Sequence, residues 1–509
     1  MNQYLLGIDI GTSGCKCCLL DLDGKLVGNA AQEYTPLSSK PGWVEQHPDD
    51  WYHAVQKALQ LLQQQIALDL RQIVAIGTAG QMRGVTFLHK SGRPVRNSIL
   101  WNDLRCEQEV HEAQDKAEDL LKNTTHNPLN TMCTLPKVLW VMRNEPQTWA
   151  ETAKIIFPKD YVNYKLTGKI QTDLSDASGS SFYNLKEQAW SEDILDLFGI
   201  AKAKLPEIFP STAIIGQVSP KAAEETGLKP GTPVIAGGSD ATVELFAVGV
   251  SNPTQCKLRL GTSGALSTVT DDLEHFPQGD YYCWSYVLPN HWMIDLNTRA
   301  CAHSTVWLRD VFFQDKPAIS ATYADIVKEA QNIPIGADGL VFHPYLLGED
   351  APYWDPKLKG SFFGVTAGHS RQHFARAVFE GTAYALRDAH SVIATIAQNF
   401  SEYLFVGGGV KNPLWVSIVA DVLGINGKIA TKADTSLGAA MLAGIGAGFF
   451  AGVEEARAAW RNEDGTSIKY NKHNHQIYSA LFEQYVKMKR VYDQIYKILE
   501  CESSTFASK

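Results

Sequence analysis

Residues 5–14 read LLGIDIGTSG, an apolar run that ends in a turn of glycine, threonine and serine. The short apolar run predicts a buried strand, and the glycines around the two hydroxyl residues predict a tight turn after it. Short apolar runs then predict strands at 16–20, 26–31 and 73–78. Between the last two of these, apolar side chains spaced three and four apart predict a helix over 51–66, preceded by Pro48 and Asp49. This order of elements fits half of a mixed α/β lobe.

The turn recurs about half a chain later. Residues 258–264 read LRLGTSG, and the Gly-Thr-Ser-Gly segment again lies between two strand-like runs. Four common residues are weak evidence alone, but the same strand–turn–strand setting strengthens the match. We predict an α/β protein of two related lobes, residues 1–248 and 249–509, with small residues and Pro253 at the link. The second lobe is predicted to end in an amphipathic helix whose apolar stripe consists of Ile477, Leu481, Tyr485, Met488, Tyr492, Ile495 and Leu499.

Composition and charge limit the function. Of the 509 residues, 45% are hydrophobic and 20% are charged, which is the balance of a folded globular protein. The formal net charge of −9 disfavours nucleic-acid binding, because that affinity comes mostly from basic side chains. The N-terminus lacks a basic signal-like segment, and no apolar run approaches the roughly 20 residues that span a bilayer. We expect a cytoplasmic protein that binds neither nucleic acid nor membrane and keeps its nine cysteines reduced.

Each Gly-Thr-Ser-Gly turn can hold part of a polyphosphate. Glycine lets the backbone approach a ligand, and consecutive N–H groups beside hydroxyls form an anion-binding concavity. The candidate residues are Gly11, Thr12 and Ser13 in the first turn and Gly261, Thr262 and Ser263 in the second. Two ordinary β-turns are the alternative, and neither turn is a P-loop. Asp9 precedes the first turn and would repel a phosphate unless a cation lay between them, so Asp9 is a candidate Mg²⁺ residue.

Two further glycine-rich segments follow predicted strands. Residues 237–240 read GGSD, and a carboxylate at a strand end, here Asp240, can accept the proton of a hydroxyl that attacks phosphorus. The alternative role of Asp240 is to cap the helix that follows. Residues 407–409 are three glycines, which offer a flat surface for an adenine ring near the predicted helix cap Asn412. Close packing is the alternative reason for these glycines.

Side chains at other strand ends of the first lobe can bind a polyol. They follow the strand at 73–78 and the short apolar pair at 99–100. Core packing is the alternative for the tryptophan among them. The candidates are Gln81, Met82, Arg83, Trp101 and Asn102.

Taken together, these segments resemble the FGGY family of carbohydrate kinases over roughly residues 4–450. The most specific similarity lies at 345–381, where YLLGEDAP, KGSFFG and RAVFEG follow one another in the family's order. The resemblance implies two ribonuclease H/actin-like lobes, with mixed sheets flanked by helices, around a central cleft for ATP and a sugar. It also implies that Asp240 is the catalytic general base and Asp9 the Mg²⁺-linked carboxylate. The ATP site is assigned to the two turns together with Lys16, Gly408, Gly409 and Asn412.

Within the family, the sugar-side residues are most similar to those of kinases that act on xylulose, with matches at 80–82, 99–105, 159–161, 166–168 and 173–179. Three positions depart from that pattern. Arg83 stands where histidine is usual, Ala241 where asparagine is usual and Asp350 where arginine is usual. The predicted reaction is ATP-dependent phosphorylation of D-xylulose. Because an arginine can pair with a carboxylate, gluconate is the leading alternative substrate, beside L-xylulose and D-ribulose, and an actin-like nucleotide switch is a remote alternative. A homodimer is left open.

Overall fold

Two mixed seven-stranded sheets form the centre of the structure, one in each half of the chain. The computed structural model describes residues 3–274, 281–314, 319–396, 400–430, 433–459 and 465–506. The side chains of residues 319–322, 396 and 493–506 are outside this description, and with them Ile495 and Leu499 of the predicted apolar stripe.

The elements are numbered along the chain. The strands of the N-terminal half are β1 (Tyr4–Ile10), β2 (Gly14–Asp21), β3 (Leu26–Glu33), β4 (Glu45–Gln46), β5 (Ile73–Gly80), β6 (Thr86–Leu88), β7 (Ser98–Ile99), β8 (Lys154–Ile156), β9 (Gln171–Asp173), β10 (Tyr183–Asn184), β11 (Ala189–Trp190), β12 (Glu207–Phe209), β13 (Ile214–Gln217), β14 (Pro233–Ile235) and β15 (Gly238–Ser239). The strands of the C-terminal half are β16 (Gln255–Leu260), β17 (Gly264–Thr270), β18 (Tyr282–Ser285), β19 (Trp292–Thr298), β20 (Val341–His343), β21 (Ser361–Phe363), β22 (Glu402–Val406), β23 (Gly427–Ile429) and β24 (Ser467–Ile468). The helices are α1 (Pro48–Ile66), α2 (Glu107–Thr125), α3 (Thr134–Asn144), α4 (Pro146–Glu151), α5 (Pro158–Thr167), α6 (Leu174–Ser178), α7 (Glu192–Phe198), α8 (Pro220–Thr226), α9 (Asp240–Val248), α10 (Ala302–Phe312), α11 (Ile319–Gln331), α12 (Arg371–Ile396), α13 (Pro413–Leu423), α14 (Thr435–Gly446), α15 (Val453–Ala459) and α16 (Lys472–Phe506).

The two central sheets repeat one topology. The first has the order β13-β14-β5-β1-β2-β3, with β15 also paired to β5, and the second has the order β18-β19-β17-β16-β22-β23-β24. In each sheet an antiparallel hairpin, β1–β2 or β16–β17, carries the Gly-Thr-Ser-Gly turn, and its first strand pairs in parallel with a later strand. The predicted duplication of a mixed α/β lobe is therefore confirmed. The proposed boundary at 248/249 falls between α9 and β16 and stays a prediction.

Helices cover both faces of the first sheet. The side chains of Leu6, Ile8 and Ile10 are buried on one face, where α1 and α5 pack. Because successive side chains of a strand point to opposite faces, Gly7 and Asp9 project to the other face, where α14 packs. The C-terminal half of the chain thus contributes α14 to the layer that covers the N-terminal sheet.

Helix α14 approaches β1 and β5 so closely that only glycine fits beneath it. A Cβ atom at Gly7 would lie 1.7 Å from the carbonyl oxygen of Ser436, and one at Gly77 would lie 2.0 Å from that of Ala439. These atoms belong to the helix backbone, which cannot move without shifting the helix. The two glycines therefore set the distance between α14 and the first sheet.

Gly77→Ala is expected to lower the free energy of unfolding by about 1–3 kcal/mol, because overpacking of a buried contact forces the backbone to shift. Gly452→Ala is the matched control, since nothing lies within 4 Å of a Cβ atom built there. Urea unfolding followed by circular dichroism measures both variants. Equal stability of the two variants would contradict the close approach of α14.

The C-terminal helix α16 packs on the second half through Tyr478 and Tyr485, which are both buried. The predicted apolar stripe is confirmed at Tyr485. It is wrong at Ile477, which is exposed, whereas the neighbouring Tyr478 is buried. The hydroxyl of Tyr478 accepts a hydrogen bond from Arg376 (2.6 Å) and donates one to Glu380 (3.0 Å). Tyr478 rather than Ile477 faces the second half because the buried Arg376–Glu380 ion pair needs a polar partner, which only the tyrosine hydroxyl can be.

None of the helices in the described part of the chain combines the length and the apolar character that a bilayer span requires. The eight cysteines whose side chains are described are free and buried. They pack as small apolar side chains.

Candidate active site

Three neighbouring strands of the first sheet end at one edge and carry polar residues there. β5 pairs in parallel with β1 on one side and with β15 on the other, in a register that places Asp9 beside Ala79 and ends β15 opposite Gly80. Asp240 follows β15 directly, and residues 81–83 follow β5 directly. Since ligands of such sheets bind at the carboxyl ends of the parallel strands, this edge is the candidate active site.

Asp240 is the first residue of α9, and the preceding serine occupies the N-cap position. Its Oδ1 atom accepts the N–H group of Ala241 (2.9 Å) and that of Met82 (3.4 Å). Burial raises the pKa of Asp240 to about 6, and Glu244 acts in the same direction, while the two N–H groups and Arg83 oppose the rise. The carboxyl group is therefore ionised at neutral pH and still basic enough to accept a proton.

Asp9 is a half-buried side chain with one enclosed carboxyl oxygen. Its Oδ1 atom has no hydrogen-bond partner within the described residues. Burial first, and then the charges of Asp240 and Asp434, raise the pKa of Asp9 to about 8, whereas Lys16 opposes the rise. The described residues contain no group of three or more His, Cys, Asp or Glu side chains arranged to hold a metal. A cation at Asp9 would therefore complete its coordination with oxygens of water or substrate, as Mg²⁺ commonly does.

The first Gly-Thr-Ser-Gly turn is tied to the candidates for sugar binding. The N–H group of Gly11 closes the turn by donating to the carbonyl three residues further on (3.0 Å), and Ser13 is exposed. The hydroxyl of Thr12 accepts the indole N–H of Trp101 (3.0 Å) and donates to Oε1 of Gln81 (3.2 Å). Trp101 is 37% exposed, so it is not a core residue. The first predicted phosphate turn and two predicted sugar residues thus adjoin.

The second turn is held at the start of α10. Carbonyl oxygens of Gly261 and Thr262 accept N–H groups from the first residues of that helix and the residue before it. The hydroxyl of Ser263 accepts a hydrogen bond from Nη2 of Arg259 (2.9 Å). The exposed side chain of Thr262 is left at the tip of the turn. The second turn therefore combines an exposed hydroxyl with a nearby cation, which suits an anionic ligand.

The glycine segment 407–409 abuts the second turn and borders a cavity. Cβ atoms at Gly407 and Gly409 would lie 2.6 Å from the Leu260 carbonyl oxygen and from the Trp415 ring, so close packing explains these two glycines. A Cβ atom at Gly408 would meet nothing within 4 Å. The cavity has a volume of about 620 Å³ and is lined, among others, by Ala302, Thr305, Tyr323, Phe379, Lys411 and Asn412. Its size and largely apolar lining suit a planar heterocycle.

Two residues assigned to the ATP site have partners in the protein. Lys16 forms an ion pair with Asp434, whose carboxylate also accepts the N–H of Ser436 (3.0 Å) at the start of α14. Oδ1 of Asn412 accepts the N–H of Trp415 (3.1 Å), which confirms its predicted role as the cap of α13. The contact of each of these two residues with ATP stays a prediction.

Arg83 is buried against aromatic rings of the second half. Its guanidinium lies 4.6 Å from the ring centroid of Tyr282 and 5.0 Å from that of Trp284, which stack on each other on β18. Nη1 contacts the sulfur of Met132 (3.9 Å), and Nε has no hydrogen-bond partner within the described residues. None of the ion pairs formed by those residues includes Arg83. The site therefore holds a cation that no carboxylate of the described residues neutralises by direct contact.

Several buried polar atoms of this region lack partners among the described residues. They are Nε1 of Trp284, Nε1 of Trp354 and Oδ1 of Asn102. Trp354 packs edge-on against Tyr282, with 4.9 Å between ring centroids, so both indoles adjoin the Arg83 contact. Buried polar atoms without a partner are costly, and hydroxyl groups of a ligand would satisfy them.

Lys137 fixes the segment that touches Arg83. Its buried ammonium donates to the carbonyl oxygens of Thr131 (2.8 Å), Met132 (2.7 Å) and Cys133 (2.9 Å), which uses all three N–H bonds. Burial lowers the pKa of Lys137 to about 8. Sequence reasoning missed this lysine, which carries no local signal. It also missed the ring pair on β18, although the alternating aromatic residues at 282, 284 and 286 were a usable sign of one shared strand face.

The features together define a class of protein. Two α/β lobes share one topology, each contributes a Gly-Thr-Ser-Gly turn, and an ionised carboxylate lies at the strand ends beside residues suited to a polyol. This is the arrangement of a sugar kinase with an actin-like fold. The chain belongs to the FGGY family of carbohydrate kinases, whose N-terminal domain matches residues 4–247 and whose C-terminal domain matches residues 256–447. It is therefore a sugar kinase, and the family implies ATP as the phosphoryl donor.

Individual relatives extend over nearly the whole chain. A xylulose kinase of Lactococcus lactis is 32% identical over 496 residues, which cover 97% of this chain and 96% of that protein. A gluconokinase of Bacillus licheniformis is 30% identical over 430 residues, or 83% of each chain. The crystal structure of a xylulose kinase from Rhodospirillum rubrum matches with a TM-score of 0.90 at 27% identity and covers 97% of this chain and 99% of that one. The predicted actin-like fold and the predicted family are confirmed.

Proposed function

We propose that the chain phosphorylates D-xylulose to D-xylulose 5-phosphate with ATP, and that Asp240 is the general base. The observation that carries the proposal is the position of Asp240, an ionised carboxylate at the edge where β1, β5 and β15 end. The similarity to the xylulose kinase of Lactococcus lactis supports the choice of sugar.

In this mechanism the terminal hydroxyl of the sugar lies against Asp240, with Gln81, Met82, Arg83, Trp101 and Asn102 around the sugar. The carboxylate accepts the hydroxyl proton as the hydroxyl oxygen bonds to the γ-phosphorus of ATP. The bond from the γ-phosphorus to the β,γ-bridging oxygen breaks, and ADP leaves. Asp240 thereby raises the nucleophilicity of the oxygen at the moment of attack.

The phosphates of ATP are assigned to the two turns, through Gly11, Thr12, Ser13, Gly261, Thr262 and Ser263, with Lys16 beside them. The adenine is assigned to the cavity bordered by Gly408, Gly409 and Asn412. Asp9 would hold Mg²⁺, because its uncompensated Oδ1 atom and raised pKa fit a cation. When bound, Mg²⁺ would offset negative charge on the phosphates.

A sugar acid such as gluconate is the second candidate substrate. Arg83 favours it, because its guanidinium is buried without a directly paired carboxylate within the described residues. The gluconokinase of Bacillus licheniformis is consistent with this alternative. The deciding experiment measures ADP formation with MgATP and each of D-xylulose, L-xylulose, D-ribulose, gluconate and glycerol. The highest kcat/KM with D-xylulose supports the proposal, and the highest value with gluconate replaces it.

Arg83→His tests the contribution of this residue to selectivity. Histidine tolerates the left-handed backbone of residue 83, where φ is 65°, better than most residues do. We expect the ratio of kcat/KM for D-xylulose to that for gluconate to rise about tenfold, because a carboxylate loses its fixed cation. An unchanged ratio would remove Arg83 from substrate selection. The unmodified chain, assayed in parallel with both sugars, is the reference.

The proposed partners are thus the sugar, ATP and Mg²⁺, in the cytoplasm. A homodimer stays a prediction, which light scattering after size-exclusion chromatography would test. Sugar-dependent ADP formation also separates the kinase from the remote alternative of a nucleotide switch, since a switch does not need a sugar to form ADP.

A further inference from the structure

A buried ionic cluster lies behind the candidate base. The ammonium of Lys159 contacts three carboxylates, those of Asp160 (2.6 Å), Asp173 (2.8 Å) and Asp176 (3.2 Å), and all four side chains are fully buried. The helices α5 and α6 and the strand β9 supply these residues. None of the four has a hydrogen bond to Asp240, so the proposed chemistry does not use them directly.

The cluster is costly as a purely structural device. One ammonium faces three carboxylates, and burial raises the pKa of Asp160 and of Asp176. A buried ion cluster often contributes less stability than apolar packing of the same volume. Because the cluster has a desolvation cost and adjoins the candidate active site, we looked for a contribution of the cluster to that site.

A chain of hydrogen bonds connects the cluster to the residue before the base. Oδ2 of Asp173 accepts the hydroxyl of Ser175 (2.5 Å), and the Ser175 oxygen accepts the N–H of Ser239 (2.8 Å). Ser175 has one hydroxyl proton, which it donates in the hydrogen bond to Asp173. The Ser175 oxygen is therefore left to accept, which is the role that the Ser239 N–H requires.

The backbone at Ser239 depends on this bond because β15 is short. It has two residues, which pair with Ala79 and Gly80 of β5, and Asp240 follows at once as the first residue of α9. The N–H of Ser239 is buried. Loss of its acceptor would leave an unpaired buried donor at the strand–helix junction that aims Asp240.

We propose that Ser175 is a positioning residue, oriented by Asp173 and Lys159, that fixes the junction at Ser239 and thereby the direction of the Asp240 carboxylate. The inference rests on the proposed function, since it assumes that Asp240 is the base. A base misplaced by about 1 Å can cost up to 10²-fold in rate.

The test compares two serines that both donate to Oδ2 of Asp173. Ser175 is linked to Ser239, whereas Ser211 (3.1 Å) has no side-chain link to it. Ser175→Ala is expected to lower kcat about tenfold while the KM for ATP changes less than about twofold, because the base moves and the nucleotide site does not. Ser211→Ala deletes an equally buried hydroxyl from the same carboxylate and is expected to keep kcat within about twofold.

Thermal unfolding of both variants shows that the compared samples are folded. A tenfold gap in kcat between the two alanine variants supports the inference, and equal kcat values overturn it. If Ser175→Ala does not fold, Ser175→Cys is compared with Ser211→Cys under the same two outcomes, since cysteine differs from serine in one atom and its sulfur is only a weak acceptor. Absence of sugar-dependent ADP formation by the unmodified chain would overturn the proposed function and the inference with it.

Discussion

Asp240→Asn is expected to lower sugar-dependent ADP formation on the order of 10²-fold or more, with ATP still bound. The amide is isosteric and its oxygen can still accept the N–H of Ala241, so the local fold is kept. It cannot accept the proton of the attacking hydroxyl. A coupled assay for ADP measures the loss, and equilibrium binding of ATP measures the nucleotide site.

Asp196→Asn, on the exposed side of α7, is the control for an Asp-to-Asn change. Near-normal turnover of folded Asp240→Asn would remove Asp240 from the role of base. The pH profile of the unmodified chain provides a second check. Because the pKa of Asp240 is about 6, the carboxylate is protonated and inactive at lower pH, so kcat/KM should fall as the pH drops through about 6. The same limb should be missing from the residual activity of Asp240→Asn.

Asp9→Asn is expected to lower turnover on the order of 10²-fold and to raise the Mg²⁺ concentration needed for half-maximal rate. The change removes the carboxylate that would neutralise and orient the cation. A titration of ADP formation against MgCl₂ measures both effects. Unchanged dependence on Mg²⁺ would place the cation elsewhere.

The stability of Asp9→Asn gives a readout that does not require activity. The pKa of Asp9 is raised from 3.8 to about 8, so between these values the folded state holds a proton that the unfolded state releases. The free energy of unfolding contributed by this group therefore falls as the pH rises from about 4 to about 8. In the presence of a chelator, Asp9→Asn should unfold at a higher temperature than the unmodified chain at pH 8. A lower unfolding temperature would mean that Asp9 has a partner that compensates its charge.

Local sequence patterns predicted the framework well. The predicted helix 51–66 lies within α1, which begins three residues earlier, and the two Gly-Thr-Ser-Gly turns lie on equivalent hairpins. Turn residues and the spacing of apolar side chains act over a few residues, so they can be read without the fold.

Contacts between distant segments could not be predicted in the same way. The approach of α14 to Gly7 and Gly77, the rings of Tyr282 and Trp284 over Arg83, and the three carbonyls around Lys137 depend on how elements pack. The spacing of apolar residues along the sequence does not predict such contacts, because each contact involves only one or two side chains per element. The segments that contain Lys159 and Asp173 match family motifs in the sequence, but their shared ionic cluster depends on the fold, which brings α5 and β9 together.

The distance between the Asp240 carboxylate and the acceptor hydroxyl of the sugar tests the central claim most directly. It can be measured in a crystal structure of the chain with D-xylulose and a non-hydrolysable ATP analogue. The proposed mechanism predicts a hydrogen bond of about 2.6–3.2 Å, with the γ-phosphorus on the far side of that hydroxyl. A sugar bound away from Asp240, or a triphosphate that contacts neither Gly-Thr-Ser-Gly turn, would contradict it.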